Sequence, residues 1–98
     1  MKTLCVRDQV GTFAENKDVA RDIRILQVLP ELEKGHEITL DFMGVEAATQ
    51  SFVHALLSEL IRQFGVEILE KIIFKNCNET VQKIITIVID YMQEAESP

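Results

Sequence analysis

The chain has 98 residues, 47% of them apolar and 27% charged, and a formal net charge of −6. That length is expected to hold one domain, spanning 1–98, and that apolar share can fill a core without disulfide or metal staples. An acidic balance with no cluster of lysine or arginine excludes a nucleic-acid phosphate binder, and no apolar run approaches the roughly 18 residues of a membrane span.

From the N-terminus, Leu4-Cys5-Val6 predicts a first strand at about 3–8, and Gly11 marks a turn. Asn16 is a helix cap through its side-chain oxygen, and Val19, Ala20, Ile23, Leu26 and Leu29 then recur at helical spacing. Pro30, which lacks a backbone donor, should end or kink this helix near 28, with one further turn over 30–34 before Gly35. Glu37 to Phe42 alternates polar and apolar, the period of a strand with one buried face. Residues 43–48 read as a connector and Thr49 as the next cap. From Phe52 to Phe64 the apolar positions form two adjacent rows at intervals of four, a broad helical stripe stopped by Gly65.

A third strand is expected at about 69–75, followed by Asn78 as cap of a last helix whose stripe is Val81, Ile84, Ile85, Val88 and Met92. Ile84 to Ile89 is a β-branched run that by composition favours strand, but length and capping favour helix. Ile87, Ile89 and Tyr91 do not fit one narrow stripe; they imply burial on several sides or an apolar patch that meets a partner. Residues 94–98 are expected to fray. The order strand–helix–strand–helix–strand–helix predicts an α/β fold, a short, mainly parallel sheet with helices packed on it.

Motifs for chemistry are sparse. Ser51 and His54, three apart on a helix, with Asp41 at a strand end, sketch a Ser–His–Asp arrangement, but no glycine-framed elbow surrounds the serine and the residues read more simply as helix surface. His36 and His54 have no cysteine or carboxylate at metal-ligand spacing, so no metal is expected. The four glycines are scattered and make no phosphate-cradling loop, so no cofactor is expected either. Cys5 and Cys77 lie far apart without ligand spacing, and the apolar part of the N-terminus is too short for a secretory signal. Reduced thiols and a cytoplasmic location follow as expectations.

The stretch Ile38-Thr39-Leu40-Asp41-Phe42-Met43-Gly44-Val45-Glu46-Ala47-Ala48-Thr49-Gln50-Ser51-Phe52, followed by a leucine-rich helix, resembles the STAS-like family of small proteins and domains related to bacterial anti-sigma-factor antagonists. The resemblance is strongest over these residues and extends more weakly through Phe74-Lys75-Asn76 and the last helix, and back to Gly11-Thr12-Phe13. It implies an α/β module that acts as a protein-binding regulatory switch and is not an enzyme. In the antagonists the switch is phosphorylation of a serine or threonine where the helix after a central strand begins, and the kinase partner has a histidine-kinase-like ATPase fold. Their motif reads Asp-Ser-Ser/Thr-Gly. Here Gln50 stands where the phosphorylated residue is usually found, Ser51 falls one position later, and Phe52 replaces the glycine. Ser51 and Thr49 are thus the candidate phosphoacceptors, and Gly44, Glu46, Gln50, Ser51 and His54 the candidate partner-binding residues.

Two other readings stay open. One is a small nucleotide- or phosphoryl-handling protein using the crevice at the strand C-termini. The other is a structural subunit of a homo-oligomer, a homodimer being the simplest cover for an apolar last helix.

Overall fold

The computed structural model describes residues 2–96, and side chains as far as 93. Its elements run β1 (Lys2–Cys5), α1 (Arg7–Val10), β2 (Phe13–Ala14), α2 (Lys17–Ile23), a π-helical turn (Arg24–Val28), α3 (Leu29–Glu33), β3 (Ile38–Asp41), β4 (Ala47–Ala48), α4 (Gln50–Phe64), a 3-10 segment (Val66–Lys71), β5 (Ile72–Lys75) and α5 (Glu79–Glu96). The expected α/β architecture is present. β3 lies between β1 and β5, both parallel to it, in the register Leu4↔Leu40↔Phe74.

Both crossovers step in the same direction across the sheet, and right-handed connections then place their helices on one face. Burial agrees with this geometry. On the inner face Leu4, Ile38, Leu40 and Ile72 are buried, whereas on the opposite face Thr3, Ile73 and Lys75 are exposed. Thr39, in the middle of that outer face, is the buried exception.

α4 forms where its two apolar rows place it, and Phe52, Val53, Leu56, Leu57, Leu60 and Ile61 are all buried. Gly65 closes it at φ +86°, its N–H donating to the Ile61 carbonyl at 2.7 Å. α5 is a helix throughout the β-branched run, with Val81, Ile85, Val88 and Met92 in the core. Packing of one face against α4 outweighs the strand propensity of Ile84–Ile89. The helix runs to Glu96; of the segment expected to fray, Ser97 and Pro98 lie outside the described residues.

Four expectations need correction. The first strand stops at Cys5, because the chain turns into the short helix Arg7–Val10, closed by a Gly11 N–H to Arg7 carbonyl bond of 2.8 Å. The third strand starts only at Ile72, since Val66–Lys71 winds as 3-10 helix. The middle strand is not half-buried: Ile38, Thr39 and Leu40 are all buried, as befits a strand flanked on both sides. Lastly, Leu26 is not in the core but 67% exposed.

Pro30 explains Leu26. Its ring would press on the carbonyl four residues back, and it offers no N–H to that carbonyl. The helix widens just ahead of it, with Leu29 N–H bonding the carbonyl of Arg24, five residues earlier. Buried positions accordingly pass from Ile23 to Val28 and then Leu32, while Ile25 and Leu26 turn outward. Replacing Leu26 with alanine is expected to change stability by no more than about 0.5 kcal/mol. Chemical denaturation checks this; a loss of about 2 kcal/mol or more would restore Leu26 to the core.

Candidate functional site

The candidate residues follow β3. Asp41 Oδ1 accepts from the Met43 N–H at 2.9 Å and from Asn76 Nδ2 at 3.0 Å, joining the ends of β3 and β5. Asn76 itself takes the left-handed conformation, φ +57°, that an asparagine tolerates. The Met43 backbone bond, then the Asn76 amide, then the charge of Lys75 hold the Asp41 carboxyl below the usual carboxylate range. A depressed folded-state pKa adds stability above the ordinary carboxylate range and loses it as pH falls through the folded value. The stability gap between the wild type and Asp41→Ala should therefore narrow on acidification below about pH 4, as read by melts across a pH series. A gap constant down to pH 2 would show that the charge contributes nothing.

Gly44 turns the chain at φ +83°, and a Cβ there would collide with the Arg7 side chain folded over it. The Glu46 N–H then bonds the Thr12 carbonyl at 2.7 Å, and β4 pairs in parallel with β2, Phe13↔Ala47 and Ala14↔Ala48. This second, two-stranded sheet has no sequence signature, because two alanines carry no alternation to read. Asn78 fixes the loop from its other side: Nδ2 donates to the Glu46 carbonyl at 2.8 Å, while Oδ1 accepts from Val81 N–H at 2.8 Å and caps α5 as expected. Arg7 and the Asn78 link to the loop escaped the sequence reading. No local pattern announces a contact between residues some thirty or more apart.

Thr49 caps α4, its Oγ1 accepting from the Phe52 N–H at 3.1 Å. Its hydroxyl is thus occupied and its side chain half-buried, whereas Ser51 is exposed in the first helical turn and its hydroxyl makes no hydrogen bond among the described residues. Phe52, which replaces the glycine of the antagonists' motif, is fully buried. Gly44, Glu46, Gln50, Ser51 and His54 are all exposed.

Three of these five share a cleft with the last helix. Gln50, Ser51 and His54 form one wall, and Ile87, Val88 and Tyr91 the other, around a volume of about 230 Å³. Ile87 is 46% and Tyr91 64% exposed. Ile89, read from sequence with the same patch, is instead half-buried against the core. Gly44 and Glu46 lie outside the cleft, on the loop that leads to it.

The Ser–His–Asp sketch is not assembled. Ser51 and His54 share the cleft without a hydrogen bond between them, and Asp41 Oδ1 is engaged by Met43 and Asn76. Among the described residues no group of three or more His, Cys, Asp and Glu is placed to hold a metal ion. Cys5 and Cys77 are both free thiols; burial, then the nearby Asp41 charge, pushes the Cys77 thiol up, which favours its protonated form. No helix among the described residues is long and apolar enough to cross a membrane.

Helices packed on a small parallel sheet, with a helix that begins after its central strand, match the architecture that the resemblance implies. The chain belongs to the family of STAS-like domains of unknown function, whose family model matches residues 24–82. That span runs from the π turn to the first turn of α5, and so includes the loop and the α4 wall of the cleft but not Ile87 to Tyr91. Comparison with curated proteins gave no match, and comparison with solved structures gave none.

Proposed function

We propose that this chain is a non-enzymatic regulatory module that binds another protein through the loop and helix start at 43–54, extended by the exposed side of α5. One observation carries the reading: the cleft unites Gln50, Ser51 and His54 with Ile87 and Tyr91, a mainly apolar recess lined by no carboxylate, lysine or arginine, with polar groups along one wall. Apolar surface of this kind gains by being covered, and aromatic residues such as Tyr91 are favoured anchors in interfaces. The partner that the family resemblance supplies is a histidine-kinase-like ATPase or another regulator, in the cytoplasm, where free thiols persist.

Ser51 is the phosphoacceptor of choice over Thr49. It is exposed and uncommitted, whereas Thr49 would lose its capping bond on modification. A phosphate adds a charge of about −1.5 to −2 at the rim of the cleft. A helix N-terminus tolerates that charge, but an apolar interface closing over it does not.

The test is titration of the protein against a histidine-kinase-like ATPase, with thermal melting as control. Ser51→Asp should melt within about 1 kcal/mol of the wild type, since an acidic residue in a first helical turn is mildly favourable. Its affinity should fall by about 2–5 kcal/mol, because the charge is buried without a partner. Tyr91→Ala should weaken binding as well, and Gln50→Ala less. Equal affinity for the wild type and Ser51→Asp, both folded, would overturn the switch. Equal affinity for Tyr91→Ala would remove α5 from the surface.

The exposed Ile87 and Tyr91 also favour self-association, in which one patch serves both subunits. Sedimentation at micromolar concentration separates the two readings. A dimer abolished by Tyr91→Ala supports self-association, and a clean monomer rejects it.

A further inference from the structure

No further inference is drawn: the strongest candidate outside the cleft already described, the exposed Ile25–Leu26 patch that the π turn raises on the surface, is an unpartnered apolar face, and nothing in the structure shows what covers it.

Discussion

Replacing Leu56 by alanine is expected to lower stability by about 2–5 kcal/mol, as is the same change at Leu60. Both side chains are only 1% exposed, on the face of α4 turned into the core. The loss has two parts: transfer of the missing methyl and methylene groups, and the cavity that neighbouring side chains only partly refill. Native domains hold about 5–15 kcal/mol in total, so either variant spends a large part of its margin. For a chain of this length each kcal/mol shifts the melting temperature by about 4–8 °C, so the midpoint should drop by at least about 8 °C. Thermal melts decide the matter, and midpoints unchanged from the wild type would mean that α4 does not form the core as described.

The second large effect is expected at Asn78, whose side chain does two things at once. Asn78→Ala removes the α5 cap, at about 0.5–2 kcal/mol, and leaves the Glu46 carbonyl without its donor, at about 0.5–1.5 kcal/mol. The combined loss of about 1–3.5 kcal/mol should appear as a lower denaturation midpoint with an unchanged slope. Asn78→Ser separates the two roles. Serine can still cap, but its short side chain does not reach the loop, so it should recover most of the capping contribution and none of the tether. If Asn78→Ser is as unstable as Asn78→Ala, the tether dominates; if it matches the wild type, the bond to Glu46 contributes nothing.

The parts of this fold that were legible in sequence are those written in periodicity and capping. The double apolar row from Phe52 to Phe64, stopped by Gly65, and the caps Asn16, Thr49 and Asn78 are local patterns, and the structure reproduces each one. Leu26 misled because a spacing rule assumes a constant helical pitch, and Pro30 changes the pitch from a distance of four residues. The β2–β4 pair was invisible because its two-residue strands are held by partners on another segment rather than by a pattern of their own. The candidate site was legible only in halves. The loop and helix start came from a family pattern, and Ile87 and Tyr91 from side chains that fitted no stripe. Their meeting depends on α4 packing against α5, a relation between residues more than thirty positions apart.

The one-directional strand order gives the sheet a dry side and a wet side, and the two should tolerate change very differently. Leu4, Leu40 and Phe74 share one row facing the helices, so a polar group at any of them must find a hydrogen-bond partner in the interior. Thr3, Ile73 and Lys75 face water, where most substitutions cost little. A saturation library over β1 and β5 should therefore alternate residue by residue, permissive at Thr3, Ile73 and Lys75 and restrictive at Leu4, Ile72 and Phe74. Only β3, buried at Ile38, Thr39 and Leu40 alike, should resist change at consecutive positions.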